Sequence, residues 1–327
     1  MTGMRVLTLI SLVSVTAWAD AKVVLFPAIA SPAEVTFHGR VLKHASTGGS
    51  TTLSRNLRRL TVSTWEGAEV SVTWGNRTQA VKSAKDGDFS VTFTAGDKPF
   101  EVGLTNAVAA VSGADPGLGW VDVIAPGAPF FVVSDLDDTL IVTDVLDKAK
   151  LLENTFLKDE HDQAIVEGMP QFYQCLREVA PARPGFALVS GSPTQYVGRI
   201  ATLLKLHDFP PMGLYLRELG PSTLSGYKQP YIRALLKALP NQAVLVGDSG
   251  EQDPEVYAQM RSEFPGRVAA IYIRNAGRAD DKSRFKDMVL FNSPAEAARD
   301  AVAKGLASKA CVEQAFAGPG KPDAGAK

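Results

Sequence analysis

The stretch FFVVSDLDDTLIVTD, residues 130–144, decides how the chain is read. Four apolar residues, Phe130–Val133, run straight into Asp135, Asp137, Asp138 and Asp144, with Asp147 just beyond. A continuous apolar run leaves no polar face, so as a strand it must be covered on both sides, as strands of parallel sheets are. Ligands of such sheets bind outside the carboxyl ends of the strands. The acids therefore either form a solvated turn or lie where chemistry is done.

The neighbouring sequence repeats the pattern. Apolar runs recur at 186–189 (FALV), 243–246 (AVLV) and 268–273 (VAAIYI). Between them lie segments with helical periodicity: GMPQFYQCLREV, PTQYVGRIATLLKL, QPYIRALLKAL and DPEVYAQMRSEF. This alternation predicts an α/β fold, a Rossmann-like parallel sheet with helices on both faces. Ser-Asp-Leu-Asp, Ser-Gly-Ser and Gly-Asp-Ser follow three of the runs. All are able to bind an anion or a metal, and all fall where that sheet would place a site.

The preceding hundred residues read differently. AEVTFHGRVL, RLTVSTW, AEVSVTW, DFSVTFTA and PFEVGLT alternate apolar and polar residues and are separated by turn signals such as GG, WGN and KDGD. They predict a small all-β sandwich. The domains expected are a sandwich over 20–127, the α/β domain over 128–308, and a partly disordered Gly/Pro/Ala-rich tail over 309–327. Arg55, Arg58 and Arg59 read as a solvated loop. The basic run 274–286, RNAGRADDKSRFK, reads as another.

Residues 1–19 read as a signal peptide. They combine one early Arg, a short apolar segment (Val6–Val15) and the small-x-small pattern Ala17-Trp18-Ala19. A bacterial exported protein, periplasmic or secreted, with no transmembrane segment in its mature chain is the expectation. Export would permit Cys175 and Cys311 to pair, but both lie in helical contexts where buried free thiols are as common, so pairing stays open. The 327 residues carry a net charge of −1, with 34 Lys+Arg against 35 Asp+Glu. That balance gives no reason to expect a nucleic-acid partner. The four histidines, at 38, 44, 161 and 207, lack zinc-ligand spacing.

SDLDDTL, LVSGSP, the Lys of GYKQPYI, and LVGDSGEQDPE resemble, in order, the four motifs of the haloacid dehalogenase superfamily of phosphohydrolases. With FPPMGLYLREL and IYIRN, they are similar to the catalytic domain of actin-patch-type phosphatidate phosphatases and their bacterial relatives, over roughly 128–305. Asp135 is then the expected nucleophile, forming an aspartyl-phosphate. Asp137, two residues on and on the same side of an extended chain, is the expected general acid and base. Thr139, through its hydroxyl and backbone N–H, and Ser190 with Gly191 are the expected phosphate contacts. Ser192 and Pro193 read as the cap and first residue of the next helix. Lys228 is the expected cation beside the carboxylates.

The resemblance implies Mg²⁺ held by Asp135, Asp248 and the backbone carbonyl of Asp137. Asp253 is either a further ligand, direct or through water, or the residue that fixes Lys228; Glu251 ranks after it. Asp138, Asp144 and Asp147 carry no catalytic role. Arg217 stands equally as a substrate contact or as part of a structural ion pair.

About fifty residues separate Thr139 from Ser190, with helical segments AKLLENTFL and QFYQCLREV and no room for a large cap. Members of the resembled family without a large cap have open sites, which suit macromolecular or lipid substrates, so the resemblance implies phosphatidate, with a peripheral contact to the membrane surface. The alternatives are a soluble phosphate ester or phosphoprotein and, from a different class, a non-catalytic binding module.

Overall fold

The computed structural model describes residues 21–43, 63–143, 163–217 and 226–317. The signal-peptide segment, the Arg55–Arg59 cluster, Asp144, Asp147, the AKLLENTFL segment and the last ten residues lie outside these.

Among the described residues, eight strands precede Phe130. They are β1 (Lys22–Leu25), β2 (Ala28–Ala30), β3 (Glu34–Leu42), β4 (Glu69–Trp74), β5 (Arg77–Lys82), β6 (Asp88–Thr94), β7 (Gly103–Ala110) and β8 (Gly117–Val123). They form two sheets, ordered β1-β3-β6 and β2-β8-β7-β4-β5. Alternate residues of both sheets (Val35, Phe37, Val70, Val72, Phe89, Phe93, Val121 and Val123) meet in one hydrophobic cluster. Strands β1, β2, β5 and β8 were not expected, and the described end of RLTVSTW, residues 63–65, forms only an isolated bridge at Thr64. All of β5 except half-buried Val81 is exposed, so it shows no alternation to read, and β8 is broken by two glycines.

From β9 (Phe130–Ser134) the chain is mixed α/β. It continues through α1 (Met169–Arg177), β10 (Phe186–Pro193), α2 (Val197–Leu206), β11 (Met212–Arg217), α3 (Lys228–Ala238), β12 (Gln242–Asp248), α4 (Asp253–Glu263), β13 (Val268–Arg274), β14 (Val289–Phe291), α5 (Pro294–Ala303) and α6 (Lys309–Ala315). The six strands form a wholly parallel sheet ordered β11-β10-β9-β12-β13-β14. Strand order reverses at β9, the position where doubly wound sheets open their binding crevice.

The apolar runs explain both covered faces. Phe130, Val132, Leu188, Val244 and Tyr272 pack with α1, α2, α5 and α6. Phe131, Val133, Val189, Leu245 and Ile271 pack with α3 and α4. Strand residues alternate faces, so a strand buried on both faces must be apolar at every position. Each such side chain stabilises the fold by about 1.5–3 kcal/mol relative to exposure.

One local expectation is corrected and one open question is answered. Pro193 stays extended, pairs with Arg217 after a register shift and precedes a 3₁₀ turn, Thr194–Tyr196, so the helix starts at Val197 rather than at Pro193. Cys175 and Cys311 are joined, with Cα atoms 5.3 Å apart, and among the described residues no cysteine is free. The bridge ties α6 to α1.

The edge strand β11 is covered by the N-terminal strands. The Leu214 amide donates to the Pro27 carbonyl at 2.9 Å, and Tyr215 Oη accepts from the Ile29 amide at 3.3 Å. A sheet edge closed this way has fewer unpaired backbone groups to offer to another chain.

Candidate active site

The carboxyl ends of β9, β10 and β12 and the first residues of α3 and α4 converge. Asp135 directly follows β9, and its amide donates to the Val246 carbonyl at 2.9 Å, extending the β9–β12 ladder by one residue. Asp248 closes β12 and Asp253 opens α4. Carboxylate oxygens of these three buried residues lie within 4.8 Å of one another. Lys228, the first residue of α3, enters the same space. Its Nζ is 2.9 Å from Asp135 Oδ1, in direct contact with Asp253 Oδ1 and 3.5 Å from Glu251 Oε2.

The backbone around the cluster is held from behind. Tyr173 on α1 donates to Ser134 Oγ at 2.7 Å, and Ser134 donates to the Asp135 carbonyl at 2.6 Å. Tyr257 on α4 donates to the Val246 carbonyl at 3.0 Å. Asp248 Oδ1 accepts from the amides of Gly250 (2.6 Å) and Glu251 (3.2 Å). Asp253 Oδ2 accepts from the Asp248 amide at 3.2 Å. A Cβ at Gly247 would run into that Asp253 carboxylate, so only glycine lets α4 begin so close to β12.

Electrostatics follow from burial. Burial, with Asp253 and Asp135 beside it, pushes the Asp248 carboxyl up to about 9. Burial, Asp135 and Glu251 push Asp137 to about 8. For Asp135 the burial penalty is partly offset by Lys228, leaving it at about 6. Burial raises Asp253 as well, with Lys228 opposing. Burial alone would lower the Lys228 ammonium, yet Asp135 and Asp253 lift it well above the ordinary lysine value. The cluster holds more carboxylates than its one lysine can neutralise.

Three polar atoms around this space are buried without a partner: Asp135 Oδ2, Asp248 Oδ2 and Thr139 Oγ1. A buried polar group left unpaired costs about 1–3 kcal/mol, so these atoms gathered in one place suit a polar or ionic ligand. Two carboxylate oxygens with no nitrogen or sulfur donor fit a hard divalent cation. The Asp137 carboxyl lies outside the metal-competent triad and is half-buried beside a small cleft lined by Leu136, Ile141, Ser192, Tyr196 and Arg199. Both Asp253 oxygens are engaged, one by Lys228 and one by the Asp248 amide. Of its two expected roles, fixing Lys228 is the one this geometry displays.

The second loop is built around Ser190. Its Oγ accepts from the Ser192 amide at 3.0 Å, which leaves the hydroxyl hydrogen available to an anion. A Cβ at Gly191 would sit 2.5 Å from Tyr227 Oη, so glycine is needed where that ring covers the loop. Arg217 Nε donates to the Gly191 carbonyl at 3.0 Å. Arg217 therefore braces the loop, a role in neither of its expected alternatives. The Thr139 amide is turned to the Leu136 carbonyl, 3.3 Å away, leaving the hydroxyl as the residue's unpaired group. Asp138 shapes the turn. It sits at φ 52°, takes the Thr143 amide on Oδ1 at 2.8 Å, and offers its carbonyl to Arg274 Nη1 at 2.6 Å.

Residues 130–275 match the family described as phosphatidate phosphatase APP1, catalytic domain. The matched stretch, from β9 to the end of β13, carries every residue of the cluster. This stretch resembles the catalytic domain of APP1-type phosphatidate phosphatases. Phosphatidate phosphatase APP1 of Saccharomyces cerevisiae is 35% identical over 155 residues, covering 44% of this chain and 25% of that protein. An uncharacterized protein of Schizosaccharomyces pombe is 26% identical over 152 residues, again 44% of this chain and 25% of the relative. The chain thus spans about a quarter of the length of the curated relatives it matches. Among solved structures, a carbohydrate acetylesterase from Xanthomonas citri aligns at 11% identity and a TM-score of 0.29, covering 76% of this chain and 57% of that one. A likeness that loose carries no argument.

Sequence reasoning missed Arg284. It sits in a run that reads as a solvated loop, yet its guanidinium donates to the carbonyls of Ser249 (2.9 Å) and Glu251 (2.7 Å). It thereby clamps the loop that carries Asp248. Tyr227 and Tyr173 were missed as well. Only the position of Tyr227, directly before Lys228, could have signalled a role.

Proposed function

We propose that this chain is an exported, Mg²⁺-dependent phosphomonoesterase acting through an aspartyl-phosphate, with phosphatidate as its substrate, giving diacylglycerol and phosphate. The observation that carries the reading is the buried Lys228 bridging Asp135 and Asp253, with the unpaired oxygens of Asp135 and Asp248 beside it. The matched family supports the substrate class.

In this reading Asp135 attacks phosphorus while the P–O bond to the alcohol breaks. Asp137, whose carboxyl is raised by burial and by Asp135 and Glu251, gives its proton to the leaving alkoxide. Water then attacks the phosphoryl group on Asp135, Asp137 takes the water proton, and phosphate departs with Asp135 restored. Lys228 offsets the charge that gathers on the phosphoryl oxygens. The hydroxyls of Thr139 and Ser190 donate to those oxygens, with Gly191 giving them close backbone approach. Asp135, Asp248 and the Asp137 carbonyl would hold the cation, and Asp253 would secure Lys228 and Asp248 around it. The cation would polarise the phosphoryl group and screen Asp135 from an anionic substrate.

The region before Phe130 is read as a β-sandwich domain and residues 128–308 as the phosphatase domain. Two features support export: the Val6–Ala19 segment and the Cys175–Cys311 bridge, since disulfides persist in oxidising compartments. Among the described residues no helix is long and apolar enough to cross a membrane, so access to phosphatidate would be peripheral.

The test is Mg²⁺-dependent phosphate release by residues 20–327 from phosphatidate vesicles and from a panel of soluble phosphomonoesters. Preference for the vesicles and loss of at least about 10³-fold in Asp135→Asn are expected. Preference for soluble esters overturns the substrate, and an active Asp135→Asn overturns the nucleophile.

A further inference from the structure

We propose that Arg40, on strand β3 of the N-terminal region, is a positioning residue for the phosphate-binding loop. The N-terminal sheets would thereby be part of the catalytic unit. The proposal rests on the phosphatase reading above.

Arg40 is only 6% exposed. Its Nε and Nη2 grip the two carboxylate oxygens of Asp88 on the neighbouring strand β6, the latter at 2.7 Å. A fork-to-fork pair of this kind fixes the guanidinium plane. The remaining nitrogen, Nη1, donates to Thr194 Oγ1 at 2.8 Å, across 154 positions of sequence and between two buried side chains.

Thr194 comes directly after Ser190-Gly191-Ser192-Pro193. It opens the 3₁₀ turn that carries the chain from the loop into α2. Within the α/β region the loop is held by the Ser192 amide on Ser190 Oγ, by Arg217 Nε on the Gly191 carbonyl and by the pairing of Pro193 with Arg217. Arg40 adds a side-chain hold from outside that region, directly after Pro193, and Asp88 sets the direction of that contact.

The N-terminal strands provide a rigid base for it. They hydrogen-bond along β11 at Leu214 and Tyr215. Ile29 and Ile124 join the cluster of Phe131, Val189 and Ile232 beneath the sheet. A hydrogen bond from such a base to a catalytic loop matters because displacement of a reacting group by about 1 Å can cost about 10²-fold in rate. The contact Arg40 makes toward the loop is with Thr194 Oγ1, so it acts through Thr194 as a positioning residue.

The experiment uses residues 20–327 with four variants: Thr194→Val, which keeps the shape and removes the hydroxyl, Arg40→Lys, Arg40→Met, and Arg40→Met with Thr194→Val. Two readouts are taken. One is kcat and KM together with inhibition by inorganic phosphate. The other is amide hydrogen exchange of segment 190–196 against segment 243–248. Thr194→Val and Arg40→Met should each lower kcat/KM about tenfold and weaken phosphate inhibition. The double variant should be no worse than Arg40→Met, and Arg40→Lys should recover part of the loss. Exchange should rise in 190–196 and stay unchanged in 243–248. Thr194→Val also serves as the gentle variant should loss of the Arg40 charge unfold the N-terminal sheets. Kinetics within twofold of wild type, losses that multiply in the double variant, or unchanged exchange in 190–196 would overturn the proposal. If the wild type releases no phosphate from any ester, the phosphatase reading fails, and the exchange comparison alone decides the role of Arg40.

Discussion

Asp248→Asn should abolish metal-dependent turnover and at the same time make the metal-free protein more stable. Asp248 is fully buried and its carboxyl is pushed from 3.8 up to about 9. The folded state therefore keeps the proton up to about pH 9, while the unfolded chain gives it up near 3.8. Between those limits the unfolded state binds fewer protons, so stability falls as pH rises through that window. At pH 7.5 the unfolded chain is favoured over 3.7 pH units, at 1.36 kcal/mol each, or about 5 kcal/mol. Asparagine removes that term. Its Oδ1 can still accept from the Gly250 and Glu251 amides, and its Nδ2 would face carboxylate acceptors. With allowance for residual denatured-state structure, a gain of about 2–5 kcal/mol is expected, or roughly 4–10 °C in Tm.

The assay is thermal and urea unfolding of both proteins in EDTA from pH 4 to 8. The gap should be widest near pH 8 and close toward pH 4, where the unfolded carboxyl also holds its proton. With Mg²⁺ at a hundred times its Kd the wild type should gain about 2.7 kcal/mol and the variant little. An Asp248→Asn protein that melts at or below wild type in EDTA across the whole range would refute the reasoning. The cluster would then not be a set of charges awaiting a cation.

Asp137→Asn should lower kcat by about 10²–10⁴-fold. The wild-type rate should fall as pH rises through the Asp137 carboxyl, about 8 without metal and lower with it, and the variant should lack that limb; an unchanged pH profile counts against the proton role. Gly191→Ala places a methyl group against Tyr227 Oη. It should weaken phosphate inhibition about tenfold or more, and an additional Tyr227→Ala should restore part of it, read by the inhibition constant. Cys175→Ser with Cys311→Ser frees a link spanning 136 residues. Chain entropy sets a ceiling of about 5 kcal/mol, and a loss of about 2–5 kcal/mol by urea unfolding is expected; a change under about 1 kcal/mol would show that α6 is held by packing alone.

The fold was legible wherever burial dictated composition. The runs at 130–133, 186–189, 243–246 and 268–273 are apolar at nearly every position because both faces of the sheet are covered, and all four became strands. Strand β5 was illegible because only Val81 along it is even half-buried. The pairing of Cys175 with Cys311 was illegible because nothing in a helical context records which helix lies opposite. Within the site, the residues read from sequence that the structure gathers into the buried cluster, Asp135, Lys228, Asp248 and Asp253, each sit at a strand end or a helix start. Those that sequence reasoning missed act through backbone carbonyls or across the fold. Arg284 grips main-chain oxygens of Ser249 and Glu251, and a carbonyl carries no side-chain signature. Arg40 reaches Thr194 only because the N-terminal segment that includes β2 closes the edge of β11. A basic residue on an alternating strand reads as solvent-facing, and only packing between distant segments turns it inward. Reactive groups are thus fixed locally, by the register at which a strand ends, while the groups that hold them in place are supplied by the tertiary fold.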